Sequence, residues 1–216
     1  PFLFYSLHKN GLPRVINTKR NRILIKKILE NKNDNNEYLI DNSKKSFNLK
    51  KDLFTDIDNL QIVTPSNWLN GVVKESFLKK FPVTTIYNGI DLNVFKPLKS
   101  DFKSKNGLSG KKVVLGVANV WEKRKGLYDF IKLSQVLPND YKIVLVGHSE
   151  TQTATLPQNI LGISRTENIN QLVEIYSAAD VYVNTSVEET MGLTTVEALA
   201  CGTPAVVYNA TAVPER

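Results

Sequence analysis

The sequence predicts an α/β fold built on a parallel sheet, and two observations carry that prediction. From residue 113 onward, short β-branched runs alternate with stretches of helical apolar spacing, and residues 181–208 read as strand, loop, helix, strand. Along the chain, Arg22-Ile23-Leu24-Ile25-Lys26-Lys27-Ile28-Leu29 has the spacing of a basic amphipathic helix, and the polar run 31–37 after it reads as a loop. The stretch 47–54 has apolar residues at helical spacing, and Gln61-Ile62-Val63-Thr64 is a short strand. Ser66 caps a helix whose Trp68, Leu69, Val72, Val73 and Phe77 make one apolar side, expected in the core. Val83-Thr84-Thr85-Ile86 is a strand after Pro82, and residues 91–110 read as a polar linker. A second α/β unit follows: strand 113–118, helix 127–137, strands 141–146 and 159–163, helix 169–179 and strand 181–184. Tandem repeats are absent from the sequence.

The chemistry-bearing stretch is 188–204, Glu-Glu-Thr-Met-Gly-Leu-Thr-Thr-Val-Glu-Ala-Leu-Ala-Cys-Gly-Thr-Pro. Its loop follows strand 181–184, and open parallel sheets bind ligands at the carboxyl ends of their strands, where the next helix points free N–H groups into the crevice. A diphosphate suits such a place. Gly192 lets the backbone approach an anion, and Thr194 or Thr195 can cap the helix that carries Glu197. The two oxygens of the Glu197 carboxylate can span a vicinal diol such as a ribose, while Glu189 can take a sugar hydroxyl beyond the phosphates. Taken alone, the pair of glutamates fits solvated surface charges equally well.

The run Glu-x7-Glu-Ala-Leu-Ala-Cys-Gly-Thr-Pro resembles the nucleotide-sugar motif of family 4 glycosyltransferases, retaining enzymes of the two-domain GT-B fold. Three further stretches agree in order and spacing: Val63-Thr64-Pro65-Ser66-Asn67-Trp68-Leu69, Tyr87-Asn88-Gly89-Ile90-Asp91 with Phe95-Lys96-Pro97, and Lys123-Arg124-Lys125-Gly126. The resemblance covers roughly residues 41–216. It implies a GT-B-like protein with a partial acceptor-side domain at 1–90, a linker at 91–110 and a Rossmann-like nucleotide-sugar domain at 111–216.

It further implies transfer from a UDP- or GDP-sugar to a glycan or lipid-linked acceptor in bacterial capsule or lipopolysaccharide assembly, with no metal or other cofactor. Lys125, with Arg124, would offset charge on the departing diphosphate, and Glu189 would orient the sugar. Glu197 would hold the ribose, Thr190, Met191, Gly192 and Leu193 would lie along the phosphates, and Ile163 and Arg165 would border the base. One departure stands out: Asn119 occupies the place of an arginine usually found before the lysine, so either Arg124 supplies the guanidinium or the site works with one cation. A nucleotide-sugar 2-epimerase of related fold, or a binding module without catalysis, would carry a similar donor site.

The family's late first-domain histidine has its nearest counterpart in Ser6-Leu7-His8, although Lys9 stands where an aspartate is common. Met191 is the only methionine, and two nucleotide-fold domains need about 300 residues. A chain of 216 residues is therefore expected to be a piece of a longer protein, without the glycine-rich loop of the first domain or the helices after Pro214-Glu215.

Composition excludes several classes. One cysteine and two histidines in 216 residues rule out a disulfide framework and disfavour a metal cluster. Cys201 reads as a small residue at a helix end. No apolar run approaches the ~20 residues of a membrane span, so the expected place is the cytoplasm. Residues 149–216 hold two basic and eight acidic residues, a net of −6, which leaves +13 of the whole chain's +7 on residues 1–148. That basic half, rich in Lys44, Lys45, Lys50 and Lys51, is read as a solvated face or as one lying near anionic lipid, and no nucleic-acid module accompanies it.

Three motifs are set aside. Asp56-Ile57-Asp58 precedes a strand and reads as a helix-ending turn, and the stretch 107–112 has Lys105 where a phosphate loop needs its first glycine. No Gly-x-Gly-x-x-Gly follows a strand, which disfavours a dinucleotide-dependent oxidoreductase. His148, after Gly147, falls at the ligand rim, where it can touch a nucleotide or close its own loop through hydrogen bonds.

Overall fold

The computed structural model describes residues 6–7, 13–14, 43–121, 123–148 and 156–215, the side chains of 6–7, 13–14 and 123 excepted. The basic stretch 22–29 and His8 lie outside the described residues. The chain divides into two units, 1–86 and 87–216.

In the first unit, β1 (Ser6–Leu7) pairs antiparallel with β2 (Pro13–Arg14), and β3 (Ile62–Thr64) pairs parallel with β4 (Val83–Thr85). Between them lie α1 (Ser43–Thr55) and α2 (Asn67–Glu75). Ser66 caps α2 as its sequence predicts, its hydroxyl accepting from the Leu69 amide at 3.2 Å. Leu60, Ile62, Val73 and Leu78 form the small core, with Phe77 packed against it. Trp68 and Val72, expected in that core, are exposed. A nine-residue helix presents only part of its circumference to a two-stranded sheet, so the i and i+4 positions Leu69 and Val73 are buried and their flanks are not.

The second unit contains α3 (Phe102–Lys105), β5 (Lys112–Val117), α4 (Leu127–Val136), β6 (Tyr141–Val146), β7 (Ile160–Ile163), α5 (Ile169–Ala178), β8 (Val181–Asn184), α6 (Leu193–Ala200) and β9 (Ala205–Val207). The five strands form one parallel sheet in the order β7-β6-β5-β8-β9. Its alternation serves two cores. Val113, Leu115, Val144 and Val146 face Val173, Ile175, Tyr176 and Ala198, from α5 and α6. On the other face, Val114, Ile143 and Leu145 meet Phe130 of α4 and Trp121. Strands buried on both faces need the near-continuous apolar runs seen here, and each fully buried large side chain contributes about 1.5–3 kcal/mol.

Residues 91–110 do not behave as the polar linker expected from their composition. Phe95, Phe102 and Leu108 are buried in the core beneath α5 and α6, and α3 interrupts the segment. Three apolar anchors spaced through a polar stretch suffice to fasten it. The chain runs outward in both directions from β5, so the order of the sheet reverses between β5 and β8. A crevice opens at such a point, outside the carboxyl ends of the two strands.

Candidate functional site

Both strands flanking that reversal deliver charged side chains to the same rim. After β5, one turn of 3-10 helix, Lys123–Lys125, leads into α4 through Gly126, whose φ of +72° is left-handed. A Cβ at Gly126 would fall on the side chain of Thr185, so both its torsion and its surroundings demand glycine. Thr185, just past β8, donates its hydroxyl to the Lys125 carbonyl at 2.8 Å, and the Arg124 carbonyl accepts from the Val187 amide at 3.1 Å. The basic turn is thereby docked on the loop that carries Glu189. There the Lys125 ammonium pairs with the Glu189 carboxylate, the two side chains being 20% and 14% exposed. The backbone of Glu189 is itself fixed, its amide donating to Thr211 Oγ1 at 3.1 Å and its carbonyl accepting from the Ala212 amide.

The loop then enters α6 through Gly192, with φ +71°. An added Cβ there would meet no protein atom closer than 3.7 Å, so within the protein it is the torsion that calls for glycine. Thr194 and Thr195, expected as caps, are otherwise engaged, and α6 has no side-chain cap. Thr194 Oγ1 accepts from the Tyr182 phenol at 2.8 Å, and Thr195 Oγ1 from Asn184 Nδ2 at 3.2 Å. Buried polar groups of β8 draw both hydroxyls inward because those groups would otherwise lack partners. The leading amides of α6 accordingly have no hydroxyl drawn over them.

Glu197 lies one turn into α6, half-buried, and accepts a 2.8 Å hydrogen bond from the Tyr176 phenol of α5. Burial raises its carboxyl above the ordinary value, and the hydrogen bond from Tyr176 counters part of that rise. Tyr182 links the two glutamates: burial above all, and then the charges of Glu189 and Glu197, push its phenol up. Both carboxylates therefore act on one buried ring at the rim of the sheet.

The remaining expected site residues are less closely gathered. Arg124, Thr190, Leu193 and Arg165 are exposed, and Ile163 ends β7 half-buried, its carbonyl accepting from the Gly147 amide at 2.9 Å. Met191 is buried, with its sulfur accepting from the Asn88 amide at 3.3 Å, so its side chain secures the loop. Asn119 is exposed beyond the end of β5. His148 is no hydrogen-bonded loop residue: it is buried, its ring stacks on Trp121 at 5.4 Å, and neither nitrogen has a partner among the described residues. Thr185, Tyr176 and Tyr182 escaped the sequence reading, although a tyrosine inside an apolar helical stripe, as at Tyr176, is a usable signal.

A cation, a carboxylate held against it and a helix N-terminus suit an anionic ligand that also carries hydroxyl groups. No cluster of His, Cys, Asp or Glu able to hold a metal occurs among the described residues, and no helix among them is long and apolar enough to cross a membrane.

Residues 111–216 match the family model Glycosyl transferases group 1. A processive diacylglycerol alpha-glucosyltransferase of Acholeplasma laidlawii is 29% identical over 160 residues, which is 68% of this chain and 48% of that protein. The chain spans about half or less of the length of the curated relatives it matches. Among solved structures, WaaG, a glycosyltransferase involved in lipopolysaccharide biosynthesis, aligns at a TM-score of 0.66 and 14% identity over 87% of this chain and 54% of its own. Anabaena HepE, in complex with UDP-glucose, aligns at 0.64 and 22% identity over 80% of this chain and 51% of its own. The fold is of the GT-B type, α/β and Rossmann-like.

Proposed function

We propose that this protein is a hexosyltransferase of the family 4, retaining type, which moves a sugar from a UDP- or GDP-sugar to a glycan or lipid-linked acceptor in cell-surface polysaccharide synthesis. The observation that carries the reading is the Lys125–Glu189 pair, held at the reversal of the sheet beside the start of the helix that bears Glu197. In the reaction, the bond between the anomeric carbon and the diphosphate oxygen breaks and the sugar passes to an acceptor hydroxyl. Charge then develops on the departing nucleoside diphosphate. Lys125 and the leading amides of α6 offset it, a contribution worth several kcal/mol where water is excluded.

An ammonium has three donors, so Lys125 can keep Glu189 and still reach a phosphate oxygen. Glu189 in turn accepts a sugar hydroxyl and orients the ring. Glu197 accepts from the ribose diol, while Arg124, Thr190, Met191, Gly192 and Leu193 border the phosphates and Ile163 and Arg165 the base. The reading invokes no metal or other cofactor and places the protein in the cytoplasm. It includes peripheral contact with anionic membrane, supported by α1, which carries Lys44, Lys45, Lys50 and Lys51 on its surface together with Phe47, 53% exposed, and Leu49, 42% exposed.

The test is calorimetry with UDP, GDP and their sugars, followed by turnover of the full-length protein with lipid-linked acceptors. Glu197→Ala is expected to abolish nucleotide binding, and Lys125→Met to lower turnover by about a hundredfold or more. Epimerised sugar nucleotide appearing without acceptor would replace the transferase reading, and binding without any transfer would reduce the site to a binding module.

A further inference from the structure

We propose that Tyr176 is a positioning residue for nucleotide binding, its phenol holding the Glu197 carboxylate so that the second oxygen and the free lone pairs of the first face a ligand diol. The proposal rests on the donor reading above, in which Glu197 takes the ribose.

The geometry is specific. Tyr176 is fully buried in the core between the sheet and α5 and α6, and its ring makes edge contacts with Phe95 at 6.5 Å and Tyr182 at 6.0 Å. Its backbone is tied down as well, the carbonyl accepting from Thr203 Oγ1 at 2.6 Å. A ring so packed has one orientation, and its hydroxyl meets Glu197 Oε2 at 2.8 Å. A glutamate side chain on a helix surface otherwise samples several rotamers, and a diol bound by two oxygens at once requires one of them. An apolar ring would fill the same core volume, so the hydroxyl of Tyr176 is not needed for packing. It serves the carboxylate.

The donated hydrogen bond has a second effect. Glu197 is held above the usual carboxylate range by burial, and Tyr176 opposes that shift. The other titratable groups around it are Tyr182 on β8 and Cys201 at the end of its own helix. Both are themselves pushed up by burial and by the charge of Glu197, the thiol to about 11. None of these supplies a cation to replace the hydrogen bond. Without it, Glu197 would take up a proton at a higher pH, and a protonated carboxyl accepts a diol poorly.

The experiment compares UDP with 2′,3′-dideoxy-UDP, and GDP with its dideoxy form, binding to wild-type protein, Tyr176→Phe and Glu197→Gln across pH. Tyr176→Phe is expected to weaken the ribonucleotide about five- to tenfold, to leave the dideoxynucleotide unchanged, and to move the acid decline of ribonucleotide affinity to higher pH. Equal weakening of both nucleotides, or an unmoved acid decline, overturns the proposal and leaves Tyr176 a packing residue. If wild-type protein binds neither UDP nor GDP, the donor reading itself falls, an outcome separable because it precedes any variant. Should Tyr176→Phe fail to fold, 3-fluorotyrosine at 176 keeps the ring shape and strengthens the donor. The acid decline must then move to lower pH, and a fixed midpoint overturns the proposal.

Discussion

At the scale of single residues, the buried groups that sequence reading treats as incidental have measurable consequences. His148 is enclosed against Trp121, and burial lowers its pKa to about 4. In the unfolded chain the imidazole takes its proton near pH 6.5, while in the folded chain it stays neutral until about 4. The stability that depends on a neutral His148 is therefore complete above the unfolded value and is lost as pH falls through this window. By pH 4.5 the loss is about 2–3 kcal/mol. Urea unfolding at pH 7 and pH 4.5 measures it, and His148→Phe is expected to remove that part of the acid sensitivity. Glu197 has the opposite sign. Its raised carboxyl binds a proton more readily in the folded state, so its contribution to stability grows slightly on acidification even as its capacity to hold a diol declines.

Among elements, the decisive feature is the docking of the basic turn on the loop after β8. Thr185 grips the Lys125 carbonyl, and Gly126 allows the approach. Thr185→Val keeps the shape and removes the donor, and is expected to cost about 1 kcal/mol of stability and to weaken UDP binding by displacing Lys125. Parallel thermal melts with and without UDP separate the two effects. Gly126→Ala combines a left-handed torsion with a collision and is expected to cost more than Thr185→Val in both measurements. The partners of the ion pair are coupled in the same way. Glu189→Gln leaves a mostly enclosed ammonium without its counter-charge, a loss of about 1–3 kcal/mol, and a double-mutant cycle with Lys125→Met should show that the two losses do not add.

For the whole molecule, Lys125, Glu189, Glu197 and Tyr176 all belong to the unit 87–216, which has its own two-sided core. A chain of residues 87–216 alone is expected to unfold cooperatively and to bind UDP within a few-fold of the longer chain. Calorimetry on both checks this, and loss of binding in the shorter chain would assign part of the nucleotide site to the first unit. The charge division, −6 on residues 149–216 and +13 on the rest, leaves the acidic half around the two glutamates. Lys125 belongs to the basic turn 123–125, and its ammonium reaches across to pair with Glu189 of the acidic half.

Legible in the chain alone were the alternation of strands and helices, the parallel sheet and the positions of Lys125, Glu189 and Glu197 at strand ends and a helix start. Apolar period and turn residues are local properties, and they survive translation into structure almost unchanged. Partnership, by contrast, was settled by packing. Lys125 and Glu189 are 64 residues apart and meet because β5 lies beside β8. Thr194 and Thr195 turn inward to buried groups of β8, Trp68 is left at the surface, and residues 91–110 are fastened by three apolar anchors. A period shows that one face is buried, yet it is silent about which face opposes it. Those choices are made by packing between elements, where Thr194, Thr195 and Glu197 find their partners on neighbouring strands and helices.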